Sequence, residues 1–213
     1  MHIEELILKT NSLQRTRLFY HKTLELEILK ETDEAISFKA GKTKLTFEQV
    51  TDGKPFYHIA FNIVNNKFSD SFEWINNKLD ILPVSDDMLI AGYDNWNAQS
   101  FYFYDNNGSI LEFITRFDLP YHSDEPFSPD CIMEVSEVGL VTDDIQDLAE
   151  ELKVDYGIPH FKKNPPQHDF IVMGDDYGLL ILVRPKHGWV PTQRPAQKCP
   201  VTIISDDQRI EVK

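Results

Sequence analysis

The feature that most constrains the fold is a helix-start signature that occurs three times along the chain. In each copy a polar residue able to cap a helix is followed three residues later by Glu or Gln, as in a capping box. The three pairs are Asn11 with Gln14, Asp70 with Glu73, and Asp143 with Gln146. Apolar side chains follow each pair at the spacing of one helix face. The sequence therefore predicts three amphipathic helices that pack on a sheet.

Predicted strands surround each helix. The helices follow the apolar runs EELILKT, HIAFNI and EVGLVT, and further strand-like runs come after each helix. The last two copies contain similar turns, YDNNG at Tyr104–Gly108 and GDDYG at Gly174–Gly178, which are typical of β-hairpins. The order strand, helix, three strands predicts an α+β fold of repeated βαβββ modules. The proline-containing segment Arg116–Asp130 is the predicted linker between copies two and three.

Composition limits the partners of such a chain. Its 213 residues include 35 acidic and 21 basic side chains, which gives a formal net charge of −14. A surface of that charge repels phosphates and anionic lipids, so we expect neither nucleic acid nor a membrane as a partner. Cys131 and Cys199 lack the spacing of a zinc site or a disulfide framework, which favours a reducing cytoplasm as the location.

Two stretches make the repeat more specific, LFYHKTLELEI in the first predicted helix and YFYDNNGSILEFI near the end of the second copy. In this order of elements they resemble the vicinal oxygen chelate superfamily, which includes glyoxalase I, extradiol dioxygenases and bleomycin-resistance proteins. The resemblance implies that residues 1–116 form a paired two-module domain with a cleft. Residues 117–134 would then be a linker, and residues 135–213 a third, degenerate module with a C-terminal tail.

The resemblance also implies a site for a divalent metal ion, Fe²⁺, Mn²⁺, Ni²⁺ or Zn²⁺. Metal-binding members take ligands from the first strand of each module and the last strand of the second. The corresponding residues here are Glu5, His58 and Glu112. Thr46 stands where glyoxalase-type members supply a fourth ligand, a glutamate, so a four-ligand site is not intact. Glu48 lies two residues further on the same strand face and is available in an altered register.

The residues near these positions are compatible with a metal site. Strand alternation places His58 on one face with Ala60 and Asn62, where a small side chain leaves room for a ligand. Glu5 and Glu112 each lie between isoleucines two residues away, and a carboxylate on such a face needs a metal, a cation or water. The competing interpretation is that His58 is a core histidine bonded to a carbonyl. Glu5 also departs from the histidine or glutamine more usual at the first position.

The third copy lacks the same donors. Glu137 occupies the position of His58, and Leu182 the position of Glu112 when both are counted from the glycines of the two turns. This pattern predicts no second metal site in the third module.

Other candidates come from aromatic and basic residues. Tyr102 and Tyr104 share one face of a predicted strand and are the candidate catalytic hydrogen-bond donors of the cleft. The tail segment VRPKHGWVPT contains four side chains able to contact an anionic or aromatic ligand: Arg184, Lys186, His187 and Trp189. The preferred interpretation of that segment is a solvated turn with its tryptophan on the core. The final residues, after VTIIS, are predicted to be a surface strand end.

Two functions from different classes follow. The first is a metal-dependent enzyme, a dioxygenase, lyase or isomerase acting on a small molecule with vicinal oxygens. The second is a metal-free protein that sequesters a small, cationic molecule, as the drug-binding members of the superfamily do. A homodimer is a further expectation, because a lone third module leaves a sheet edge in need of a partner.

Overall fold

The computed structural model describes residues 1–213 and contains two large β-sheets that share one apolar core. One sheet has six strands, the other has seven, and a two-stranded ribbon lies near the C-terminus. The core contains 39 buried residues drawn from both sheets and from the helices packed on them. The predicted α+β class is confirmed. No helix combines the length and the apolar character needed to cross a bilayer.

The first module forms most of the six-stranded sheet. Its elements are β1 (Glu5–Thr10), α1 (Leu13–Arg17), β2 (Glu27–Glu31), β3 (Ala35–Ala40) and β4 (Thr43–Gln49). Half-buried and buried residues alternate along β1 because every second side chain points into the core. A π-helix over Leu18–Thr23 directly follows α1 and buries Phe19 and Tyr20.

The second module lies in the seven-stranded sheet. Its elements are β5 (His58–Ile63), α2 (Phe68–Asn76), β6 (Ala91–Tyr93), β7 (Ala98–Tyr104) and β8 (Ile110–Arg116). All residues of β5 and β8 are buried, as expected of central strands that are covered on both faces. One face contributes to the apolar core, and the other contains His58 and Glu112.

The third module is shorter. It consists of β9 (Ile132–Val141), α3 (Ile145–Val154), β10 (Phe170–Asp175) and β11 (Gly178–Val183). Only two strands follow its helix, and a single bridge between His160 and Met173 stands where the third would pair. The predicted repeat is therefore incomplete in this copy.

The C-terminal segment adds four short strands. They are β12 (Gly188–Trp189), β13 (Arg194–Pro195), β14 (Val201–Ser205) and β15 (Gln208–Val212). β14 pairs antiparallel with β1, and β15 pairs antiparallel with β14. The tail predicted to be a surface strand end is thus a hairpin that extends the sheet of the first module.

The pairing of modules differs from the prediction. The six-stranded order is β15-β14-β1-β4-β3-β2, and the seven-stranded order is β10-β11-β9-β5-β8-β7-β6. The second module therefore forms one continuous sheet with the third, and not with the first as expected for residues 1–116. The physical reason is the antiparallel ladder between β5 and β9, which hydrogen-bonds the two first strands edge to edge.

The same ladder changes two further expectations. β8 ends at Arg116 and β9 begins at Ile132, so the last residues of the predicted linker 117–134 belong to a strand. Because β9 pairs with β5 within the chain, the third module has no free first-strand edge to pair with a second copy. The homodimer remains a prediction, but a free edge of the third module no longer supports it.

Side-chain caps mark two of the three helix starts. The N-caps are Ser12 for α1 and Asp144 for α3, each one residue after the predicted cap. Asp144 Oδ1 accepts hydrogen bonds from the backbone N–H groups of Gln146 and Asp147, each at 3.1 Å. α2 has no side-chain cap, and Asp70 lies inside its first turn. The capping pattern thus located the helices to within a turn.

The C-terminal hairpin makes a testable contribution to stability. Ile203 on β14 is fully buried in the shared core, whereas its neighbour Ile204 points to the opposite, half-exposed face. We expect Ile203→Ala to lower the free energy of unfolding by about 2–5 kcal/mol, the usual cost of such a truncation in a core. Ile204→Ala is the matched control, with an expected loss of about 1 kcal/mol or less. Urea unfolding followed by circular dichroism measures both, and equal losses would contradict the placement of the hairpin.

Candidate metal centre

The candidate site lies where β5 is flanked by β8 and β9. Ala60 on β5 is directly opposite Glu112 on β8 in one ladder and opposite Glu137 on β9 in the other. The methyl side chain of Ala60 leaves space between the two carboxylates, and His58 is two residues away on the same strand face. The small residue that the sequence placed beside His58 therefore forms the floor of the site.

One histidine and two glutamates converge at this floor. His58 Nε2 lies 3.5 Å from Glu112 Oε2 and 3.9 Å from Glu137 Oε2. One ligand atom from each of the three residues lies within 4.8 Å of the other two, and all three side chains are buried. Ligand atoms bound about 2.1 Å from one ion are roughly 3–4 Å apart, so a small inward movement would suffice to hold a divalent cation.

Glu137 is held from its other side by a buried arginine. Arg116 Nη2 donates a hydrogen bond to Glu137 Oε1, and the arginine side chain is fully buried. Glu137 Oε2 is the oxygen that faces His58. The two oxygens of Glu137 therefore have different environments, one bonded to a cation and one directed into the site.

Burial and charge shift the pKa values of all three candidate ligands. Burial, reinforced by the charge of Glu137, raises the pKa of Glu112 to about 7. Burial alone would lower the pKa of His58, but its contact with Glu137 and the charge of Glu112 outweigh that effect and raise it. Burial would raise the pKa of Glu137, yet the charge of Arg116 and the contact with His58 hold it below its usual value. The site thus contains one carboxylate that is ionised at neutral pH, Glu137, and one that is partly protonated near neutral pH, Glu112.

The fourth position of the site is apolar. The strand pairs β5–β8 and β9–β11 correspond to each other, with Glu137 in the position of His58. In the first pair, the residue two positions after His58 is Ala60, which is opposite Glu112. In the second pair, the residue two positions after Glu137 is Gly139, which is opposite Ile181. The structural counterpart of Glu112 is therefore Ile181, which lines the site. The prediction named Leu182, which instead packs in the shared core, because the turn before β11 differs in register by one residue.

Glu5 is not part of this group. It lies on β1 in the six-stranded sheet, where Thr46 Oγ1 donates a hydrogen bond to Glu5 Oε1 at 2.8 Å and Lys44 Nζ lies 3.0 Å away. Glu48, considered as a substitute ligand, forms an ion pair with Lys9. The structure brings together His58 and Glu112 as predicted for the site, and places Glu137 where Glu5 was expected.

The sequence does not reveal which modules pair, and it therefore does not predict that Glu137 lies beside His58. The position of Glu137 did carry a signal, since it corresponds to His58 in the third copy and is a buried carboxylate on a mostly apolar strand. Because the second module pairs with the third, these two corresponding residues, His58 and Glu137, lie close together. The third module thus contributes one candidate ligand to a single group shared between two modules.

A cavity of about 480 Å³ opens above the three residues. Six aromatic side chains form much of its wall: Tyr93, Trp96, Tyr102, Phe170, His187 and Trp189. A volume of this size suits a small molecule. No Lys or Arg side chain lines the cavity.

The two candidate tyrosines have different positions. Tyr102 is 2% exposed, lines the cavity and shares a hydrogen bond between hydroxyl groups with Tyr93. Burial, together with the charge of Glu112, raises the pKa of Tyr102 well above its usual value, so its hydroxyl stays protonated at neutral pH. Tyr104, at the end of β7, is 37% exposed and does not line the cavity. Of these two tyrosines, Tyr102 is the one in a position to contact a ligand beside Glu112.

The C-terminal tail supplies part of the cavity wall. The Trp189 ring lies 5.2 Å from the His58 ring, measured between centroids, and is 5% exposed. A Cβ atom at Gly139 would lie 2.6 Å from the Trp189 ring, so only glycine admits the indole at this distance from β9. His187 lines the cavity, whereas Arg184 donates to the Asp143 carbonyl at 2.8 Å. The preferred interpretation of a solvated turn therefore describes only part of this segment.

Comparisons with known proteins give information on the fold. No protein-family model and no curated protein match the sequence. Among solved structures, a putative dioxygenase from Bacillus subtilis subsp. subtilis str. 168 is 15% identical with a TM-score of 0.65, covering 96% of this chain and 70% of that one. Glyoxalase I from Zea mays is 15% identical with a TM-score of 0.53, covering 85% of this chain and 66% of that one. The chain therefore has the fold of these two proteins, which is the fold that the resemblance implied.

The raised pKa of Glu112 predicts how stability depends on pH in metal-free protein. Between the usual carboxyl pKa of 4.5 and about 7, the folded protein keeps a proton that the unfolded chain releases. The free energy of unfolding therefore falls as pH rises through this window. We expect Glu112→Gln to flatten this fall and to be more stable than the wild type at pH 8 by roughly 1–3 kcal/mol.

Urea unfolding between pH 5 and pH 8 in the presence of a chelator measures this effect. Glu5→Gln is the control, because Glu5 is partly exposed in the other sheet, and its pH profile is expected to parallel that of the wild type. A Glu112→Gln profile as steep as that of the wild type would show that Glu112 does not retain the proton.

Proposed function

We propose that this protein is a divalent-metal-dependent enzyme that binds a small molecule through two adjacent oxygen atoms. The observation that carries the proposal is the buried group of His58, Glu112 and Glu137, with one donor atom from each within 4.8 Å of the others beneath an aromatic cavity. Buried carboxylates and imidazoles in one cluster are costly unless a cation or a proton balances them.

The donor set suits an ion such as Fe²⁺, Mn²⁺, Ni²⁺ or Zn²⁺. Imidazole nitrogen and carboxylate oxygen are common ligands of these ions. Because Ile181 occupies the fourth position, the protein would supply three ligands and leave the remaining positions for water or substrate. When bound, the ion would supply Lewis-acid chemistry by polarising substrate oxygens.

The other cavity residues would bind and orient the substrate. Trp189 and Phe170 would exclude water from the reacting atoms, and Trp96 would pack against an apolar part of the ligand. Tyr102 would act as the catalytic hydrogen-bond donor, since its hydroxyl keeps its proton at neutral pH. Tyr104 has no such role in this proposal.

The cavity lining favours one reaction class over another. A glutathione conjugate carries two carboxylates, which a site usually recognises with basic side chains. No lysine or arginine lines this cavity, and aromatic rings dominate its wall. We therefore favour a dioxygenase-type reaction on an aromatic molecule with adjacent oxygens over the lyase or isomerase reaction of a glutathione adduct.

A second candidate is a metal-free binding protein. Arg116 already pairs with Glu137, and a protonated His58 would balance Glu112. The four buried groups would then be neutral together without any ion, and the aromatic cavity would sequester a small molecule. Metal content separates this candidate from the enzyme.

The test is metal uptake by variants of the candidate ligands. We expect wild-type protein, purified without a histidine tag and incubated with Mn²⁺, Fe²⁺, Ni²⁺ or Zn²⁺, to hold about one ion per chain. His58→Gln and Glu137→Gln should each weaken binding by at least about 100-fold, because each removes one of three donors. Elemental analysis and competition with a chelating dye measure these changes.

Glu5→Gln is the matched control for this experiment. It changes the same kind of side chain on an equivalent strand, but one bonded to Thr46 and Lys44 in the other sheet, so we expect its metal content to equal that of the wild type. Wild-type protein that binds none of the four ions would refute the enzyme proposal and favour the binding protein. Loss of metal in Glu5→Gln alone would refute the ligand set.

The role of Tyr102 is testable against Tyr104. The probes are catechol with oxygen for Fe²⁺- or Mn²⁺-loaded protein and the hemithioacetal of methylglyoxal and glutathione for Ni²⁺- or Zn²⁺-loaded protein. For whichever probe is converted, Tyr102→Phe should lower kcat by roughly 100-fold or more, because it removes a positioned hydrogen-bond donor. Tyr104→Phe, exposed outside the cavity, should leave kcat within about twofold. Equal effects would contradict the assignment.

A further inference from the structure

Arg116 has an unusual position for an arginine. It is the last residue of β8 and lies on the same strand face as Glu112, four residues away. In the sheet β5 separates β8 from β9, so the Arg116 side chain reaches over β5 to contact Glu137 on β9. Both side chains are buried, and their ion pair lies directly beside the candidate ligand atoms.

The Arg116 guanidinium is only partly satisfied by this contact. Nη2 donates to Glu137 Oε1, while Nε and Nη1 are buried without a hydrogen-bond partner. The ring of Trp96 lies with its centroid 5.5 Å from the guanidinium carbon. Buried arginines that serve stability usually have most of their donors paired. An arginine with one acceptor, beside a cluster of ligands, indicates a role in the site.

We propose that Arg116 is a positioning residue that restricts Glu137 to one metal-binding oxygen and sets the charge of the site. Because Oε1 is bonded to Arg116, only Oε2, which faces His58, is free to bind an ion. The inference rests on the proposed metal-dependent function, and it concerns a residue outside the ligand set.

The charge effect follows from the same geometry. The two carboxylates Glu112 and Glu137 together balance a divalent ion, and the buried guanidinium then leaves the loaded site with one net positive charge. In a buried site such a charge weakens the binding of a cation and strengthens the binding of an anionic oxygen to it. Arg116 would therefore lower the affinity of the site for the metal ion and raise the affinity of the bound ion for a monoanionic ligand.

Arg116→Gln tests both parts of the proposal with Co²⁺ as the probe ion. We expect the variant to bind Co²⁺ about 10-fold more tightly than the wild type, because the repelling charge is lost and Glu137 gains a free oxygen. Its visible absorption spectrum should change, since Co²⁺ bands report the number of ligands. Azide, a monoanion, should bind the Co²⁺-loaded variant at least 5-fold more weakly than it binds the loaded wild type. If Arg116 had a purely structural role, the variant would bind both Co²⁺ and azide more weakly, or would bind both as the wild type does.

Arg116→Lys keeps the charge and is the conservative variant. It should retain Co²⁺ and azide affinities within about 3-fold of the wild type, and it provides the test if Arg116→Gln does not fold by circular dichroism. A 10-fold or greater loss of azide affinity in Arg116→Lys would overturn the charge effect. Weaker Co²⁺ binding by folded Arg116→Gln, with wild-type protein binding normally, would overturn this proposal and leave the proposed function intact. Wild-type protein that takes up no ion would overturn the proposed function itself.

Discussion

The antiparallel pairing of β5 with β9 is the constraint on which the site depends. This ladder places Glu137 opposite Ala60, and the parallel ladder between β5 and β8 places Glu112 opposite the same residue. Backbone hydrogen bonds thus bring two carboxylates to either side of one small side chain, with His58 on the same face. The free energy of burying this charge is offset by Arg116, by protons or by an ion, and each of these alternatives gives the cavity a different chemistry.

The six-stranded sheet has the same strand arrangement but lacks the two glutamates beside its first strand. β1 pairs in parallel with β4 and antiparallel with β14, as β5 does with β8 and β9. Ile7 on β1 occupies the position of Ala60. The residues opposite it, Thr46 on β4 and Thr202 on β14, replace the two glutamates. An isoleucine fills the space that an alanine leaves open. The same backbone geometry therefore supports a candidate site in one sheet and an ion-paired, partly exposed face in the other.

Much of the architecture followed from local patterns. The capping residues and the alternation of apolar residues located the helices and most strands, because caps and side-chain periods are properties of short segments. His58 and Glu112 were predicted through the resemblance to metal-binding proteins, and the cost of a polar side chain on an apolar strand face supported that prediction. Local patterns do not predict the roles of Glu137, Arg116 and Ile181. These roles depend on contacts between segments far apart in sequence.

Local sequence patterns predicted most of the elements and the α+β class, and the resemblance supplied two of the three candidate ligands. The tertiary structure decided which modules pair, that the C-terminal hairpin completes the first sheet, and that Glu137 rather than Glu5 lies beside His58. The physical reason is that a strand exposes the same hydrogen-bonding groups along either edge whatever its side chains. The local sequence therefore predicts that a strand edge will pair with another strand. The packing of the whole chain selects which strand that is.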